Sequence, residues 1–138
     1  MRGHPAPAMS STITFDAVTK SYPAGRGSGS GSPAVDSFTA RIEAGTTTVL
    51  LGSSGCGKTT LLRMVNRMVE PSSGRVLIDD EDVATRDAVA LRRSIGYVMQ
   101  NAGLLPHRRV IDNITLVPRL QGADRHDARC RALELMDM

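Results

Sequence analysis

The sequence has no tryptophan and only four aromatic residues, Phe15, Tyr22, Phe38 and Tyr97. Any core must therefore be built from Val, Leu, Ile, Met and Ala. Its two cysteines, Cys56 and Cys130, stand far apart, and two isolated thiols make neither a disulfide framework nor a zinc-ligand pattern. No apolar run approaches the roughly 20 residues that a membrane-spanning helix needs. The segment from Met1 to Ser10 has no apolar stretch either and does not read as a secretory signal, so a cytoplasmic compartment is expected. Positive charge is nowhere concentrated. The net charge of +3 suits an anionic ligand, a nucleic acid or a membrane-associated partner without choosing among them, but the basic residues are dispersed and pair only at Arg92-Arg93 and Arg108-Arg109. No nucleic-acid face is expected.

What is present is patterned. The 138 residues are 41% hydrophobic, enough for one domain with its own core. Thr12 to Val18 alternates as a half-buried strand, with Ile13, Phe15 and Ala17 on one side. Residues 24–33 are rich in Gly and Ser and read as a flexible loop. Alternation resumes at Val35 to Ile42 through Phe38, Ala40 and Ile42, and Glu43-Ala44-Gly45 turns the chain. Thr46 to Leu51 has the composition of a central strand buried on both faces. A helix is predicted over Thr59 to Val69, with Leu61, Leu62, Val65, Met68 and Val69 on its apolar side, ended by Pro71-Ser72-Ser73-Gly74. Val76 to Ile78 reads as a strand, Asp87 to Arg93 as a short helix and Ile95 to Met99 as another strand. Asn101 to Arg109 reads as a loop. Asp112 is placed to cap a helical segment that Pro118 interrupts, and Ala123 to Met136 as an amphipathic helix.

The segment Gly52-Ser53-Ser54-Gly55-Cys56-Gly57-Lys58-Thr59 matches the pattern Gly, four residues, Gly-Lys-Ser/Thr. Polyphosphate needs many donors crowded around it. Glycines let the backbone turn its N–H groups inward, and the following helix adds its positive end. Lys58 would reach the outer phosphates, Thr59 would ligate Mg²⁺ through its hydroxyl, and Thr60 adds a second hydroxyl. The pattern lies after a buried-type strand and before an amphipathic helix, the context the mechanism requires. Cys56, inside the loop, is expected to be alkylated readily and shielded by bound nucleotide.

Residues 52–60 resemble the Walker A motif of ABC-transporter ATPases. The resemblance continues through Leu61 to Arg67, Glu70 to Gly74, Arg93 to Gln100 and Gly103 to His107, covering most of the chain from about Ile13. It implies an α/β fold: a P-loop NTPase (RecA-like) core with an antiparallel β flank, then the start of a helical subdomain, truncated. The corresponding division is a disordered N-terminus at 1–11, the core at 12–100 and a Q-loop with partial helical subdomain at 101–138. The wording around Val65-Asn66-Arg67 and Gly103 to Arg108 is similar to importers of osmoprotectants such as glycine betaine, choline or carnitine.

By that resemblance, Tyr22 stacks on adenine. Gly52, Ser53, Ser54, Gly55, Cys56, Gly57, Lys58, Thr59 and Thr60 bind ATP. Lys58 and Gln100 serve catalysis, and Thr59 and Gln100 attend Mg²⁺. Implied partners are membrane permease subunits and a second, head-to-tail copy, placing the subunit peripherally on the inner face of the cell membrane. His107 reads as a surface residue, not the family's switch histidine. No signature motif, Walker B strand or switch histidine follows. The run Val76-Leu77-Ile78-Asp79-Asp80-Glu81 imitates Walker B but reads as a hairpin. The isolated chain is therefore expected to be inactive in hydrolysis. The alternatives are a non-hydrolysing nucleotide-binding or interaction module and, ranked lower, a soluble P-loop ATPase working on nucleic acid.

Overall fold

The computed structural model describes residues 10–23, 32–99 and 103–138. Residues 1–9 and most of the Gly/Ser-rich stretch, 24–31, lie outside them, as does Gln100. The chain forms two compact units, one ending at Arg92 and the other beginning at Arg93.

The first unit is built on a four-stranded antiparallel sheet. Its strands are β1 (Ile13–Lys20), β2 (Val35–Ile42), β3 (Ser73–Ile78) and β4 (Glu81–Asp82), in the order β2-β1-β3-β4. β1 is central. Phe15 faces Ala40 on one side and Val76 on the other, and its ring meets Phe38 edge to face with centroids 5.4 Å apart. Phe15, Val18, Val35, Val76 and Ile78 are buried, together with Leu61 and Met64 from helix α1 (Lys58–Val65).

The sheet corrects one expectation. Ala17 is exposed and Val18 is fully buried, because the pairing slips between Phe15 and Val18. Ala17 has φ 48° and Ser37, in β2, has φ 42°. These bulges shift the side-chain alternation by one residue. Two threonines replace the lost ladder bonds: the Ala17 amide donates to the Thr39 hydroxyl and the Ser37 amide to the Thr19 hydroxyl, each at 3.0 Å. Gly74 lies against the bulge from the third strand, where a β-carbon would stand 2.6 Å from the Asp16 carbonyl oxygen.

The β3–β4 connection is a two-residue turn with φ 53° at Asp79 and 63° at Asp80, the left-handed pair of a type I′ hairpin. Asp79 also accepts from the Thr12 amide at 2.9 Å. It is a hairpin residue, as the sequence reading preferred over a Walker B acid. After a 3₁₀ turn at Val83–Thr85, helix α2 (Ala88–Ser94) is capped by Asp87, whose carboxylate accepts from the Ala90 amide at 2.7 Å.

Helix α1 ends at Val65, four residues earlier than expected. Asn66 follows as its C-cap, and Arg67 adopts φ 54°. The Arg67 amide donates to Met64 and the Met68 amide to Arg63, the two bonds of a Schellman motif with arginine in the place glycine usually takes. Arg92 then donates to the Asn66 and Arg67 carbonyls at 3.1 and 2.6 Å. Met68, beyond the stop, and Leu62, within the helix, are both exposed rather than core.

Two further expectations fail. Neither Thr46–Leu51 nor Ile95–Met99 forms a strand, and Leu51 and Val98 are 89% and 96% exposed. A strand buried on both faces needs a ladder on each edge and a layer on each side. Among the described residues, neither segment has a ladder partner.

The second unit contains helices α3 (Val110–Ile114), α4 (Leu116–Leu120) and α5 (Arg125–Met136). The α3–α4 break falls at Thr115, ahead of Pro118, whose ring would collide with the carbonyl four residues before it in a continuous helix. Asp112 does not cap. It sits in the first turn of α3 and pairs with Arg109 at 3.1 Å. Asp124 caps α5, accepting from the His126 and Asp127 amides at 2.7 and 3.3 Å. Only Ala128 and Ala132 of α5 are buried, so its apolar stripe is narrower than the pattern suggested.

Candidate nucleotide-phosphate site

The loop from Gly52 to Gly57 leads into α1 through a left-handed residue. Gly57 has φ 93° and is the N-cap of the helix. A β-carbon at Gly57 would collide with the Ala34 carbonyl oxygen and stand 3.0 Å from Val35 Cγ2. Glycine is thus required twice, for the backbone sign and for the space. The first intrahelical bond runs from the Leu61 amide to the Gly57 carbonyl at 2.9 Å. The amides of Lys58, Thr59 and Thr60 therefore belong to the unpaired opening turn. Gly57 offers no side-chain cap, and the first turn holds no acidic residue. The positive end of the helix is left for an anion.

Lys58 folds back over this loop. Its Nζ donates to the Gly52 and Ser53 carbonyls at 2.8 and 2.6 Å and approaches Cys56 Sγ at 3.3 Å. Cys56 Sγ in turn lies over Gly52, 2.6 Å from where a β-carbon would stand. Among the described residues, the hydroxyls of Thr59 and Thr60 make no hydrogen bond. A cleft of about 440 Å³ beside the loop is lined by Val35, Phe38, Leu50, Cys56, Lys58 and Leu61, among others.

Tyr22 is reached from this loop in two steps. Gly57 abuts Ala34, and the Ala34 amide donates to the Lys20 carbonyl at 2.7 Å. Tyr22, two residues on, is 53% exposed. Lys20 Nζ stands 5.4 Å from its ring centroid and donates to the Glu70 carbonyl at 2.7 Å. Lys20 was not singled out from sequence. Its spacing of two before an aromatic, which puts both side chains on one face of an extended segment, is the signal that points to it.

In the second unit, His107 is exposed. Asn113, another residue the sequence reading passed over, holds the loop before α3. Its Oδ1 accepts from the Leu105 amide at 2.7 Å, while its Nδ2 donates to the Leu105, Arg108 and Arg109 carbonyls. Among the described residues, no helix is long and apolar enough to cross a membrane.

The ABC transporter family matches residues 35–138. The chain therefore belongs to the ABC transporter ATP-binding family, and the P-loop and the antiparallel flank are consistent with it. It is 52% identical over 105 residues to the osmoprotectant import ATP-binding protein OsmV of Salmonella typhimurium, covering 76% of this chain and 28% of that protein. It is 42% identical over 126 residues to the carnitine transport ATP-binding protein OpuCA of Listeria monocytogenes, covering 91% of this chain and 30% of that one. The chain thus spans less than a third of either relative. Among solved structures, it is similar to the dimeric ATP-binding cassette MJ0796 bound to ADP and Pi, with a TM-score of 0.75 and 28% identity over 88% of this chain and 54% of that one.

Proposed function

We propose that this chain is the nucleotide-binding part of an ATP-binding subunit of an ABC importer, one that couples ATP binding and hydrolysis to uptake of an osmoprotectant or quaternary amine. The observation that carries the reading is the Lys58 ammonium held over a glycine loop that opens an uncapped helix. Two loop carbonyls fix that charge, so incoming phosphates meet a positioned cation. The opening amides of α1 supply further donors. The osmoprotectant assignment rests on the relatives, OsmV and OpuCA.

In this reading Gly52 to Gly57, Lys58, Thr59 and Thr60 cradle the phosphates of ATP. Thr59 is proposed as a Mg²⁺ ligand, with Gln100 attending the ion, and the Thr59 hydroxyl fits: it stands in the opening helical turn without a hydrogen-bond partner among the described residues. Bound Mg²⁺ would neutralise phosphate charge during transfer to water. Gln100 is proposed as the residue that orients that water, and Tyr22 as the adenine platform. A permease and a second copy of the subunit complete the assembly, peripheral to the inner face of the membrane.

Competitive alkylation tests the site. Cys56 and Cys130 are both exposed, so Cys130 serves as an internal reference. MgATP should slow N-ethylmaleimide modification of Cys56 several-fold, read by peptide mass spectrometry, and leave Cys130 unchanged. Equal Cys56 rates with and without MgATP would contradict the reading.

A further inference from the structure

We infer that Lys20 is a positioning residue for the base platform: its ammonium braces one face of the Tyr22 ring so that the opposite face receives the purine. The inference rests on the nucleotide reading above and adds a residue to it. The geometry has three parts. Lys20 Nζ lies 5.4 Å from the Tyr22 centroid, within the range at which a cation is attracted to an aromatic face. The same ammonium is tied to the Glu70 carbonyl at 2.7 Å, so it stands at a fixed place. The backbone on either side is fixed as well. The Lys20 carbonyl accepts from the Ala34 amide, and the Ser21 amide donates to the Ser72 hydroxyl at 3.1 Å.

An exposed tyrosine at the end of a strand otherwise samples several rotamers. Ordering it on binding would weaken the complex. A cation anchored on one face removes part of that freedom beforehand and covers the face the purine does not use. It also draws electron density from the ring, which favours stacking of a second ring on the far side. Lys20 touches neither phosphate nor base in this arrangement and acts through Tyr22.

The test compares binding of MgATP and magnesium tripolyphosphate to the full chain, to Lys20→Met, to Tyr22→Ala and to the double variant. Methionine keeps the apolar stem and removes the charge. Lys20→Met is expected to weaken MgATP binding roughly two- to fivefold, to leave tripolyphosphate binding unchanged, and to add nothing once Tyr22 is alanine. Lys20→Arg should restore most of the MgATP affinity. An equal loss of MgATP and tripolyphosphate binding in Lys20→Met would mean that Lys20 merely supports the fold, and would overturn the inference. So would an unchanged MgATP affinity in Lys20→Met when Tyr22→Ala loses it; in that case Tyr22 remains the platform and only the brace fails. If Tyr22→Ala binds MgATP as well as the unsubstituted chain, the platform reading itself fails and the brace with it.

Discussion

Gly57 and Ala34 touch backbone to backbone: the glycine Cα faces the alanine carbonyl so closely that no β-carbon fits between them. This contact joins the phosphate loop to the start of β2, and through the Ala34–Lys20 hydrogen bond to the end of β1. The loop is thereby fixed to the sheet from outside as well as by its own turn.

Gly57→Ala should therefore act on both fold and site. The substitution meets an unfavourable left-handed φ and a backbone collision together, and is expected to destabilise the first unit by at least ~2 kcal/mol. The urea midpoint should fall, and phosphate affinity should fall with it even where the chain remains folded. Gly55→Ala offers a contrast, since a β-carbon there meets nothing within 4 Å although φ is 83°. Only the backbone preference should be felt at that position.

The sequence showed the phosphate loop because its chemistry is local. Eight consecutive residues carry the turn, the ammonium and the helix start. The antiparallel flank was equally legible from alternation at Ile13–Phe15 and Phe38–Ile42. The bulges at Ala17 and Ser37 were not, because they arise from pairing between strands about 20 residues apart. The early end of α1 was hidden because Arg67, rather than a glycine, takes the left-handed position, and nothing in Leu61 to Val69 breaks the helical pattern. Thr46–Leu51 reads as a central strand because composition reports what a segment would bury, not whether neighbours stand beside it. Asn113 went unremarked because its four hydrogen bonds are made to a loop without periodicity.

The Asp124 cap supplies a pH dependence whose sign is set by geometry. Hydrogen bonds from the His126 amide, and next from the Asp127 amide, hold the Asp124 carboxyl below its ordinary range. A group whose pKa is depressed by folding stabilises the folded state above its unfolded pKa. That contribution is lost as pH falls through the folded value. Helix α5 should thus lose stability in acid. Asp124→Asn still caps but does not titrate. At neutral pH the unsubstituted chain should melt above Asp124→Asn, because the carboxylate also favours the positive helix end. The gap should close as pH drops below the ordinary aspartate range. A gap that stays constant across that range would show that ionised Asp124 does not support the helix.

Equilibrium binding of MgATP to the 138-residue chain and to Lys58→Ala is the most direct measurement of the central claim. Saturable binding is expected, weakened at least tenfold in the variant, the loss that follows when a charge-assisted contact to phosphate is removed. Equal affinity in both proteins, with both shown to be folded, would contradict it, because the ammonium over the loop would then have no part in holding the nucleotide.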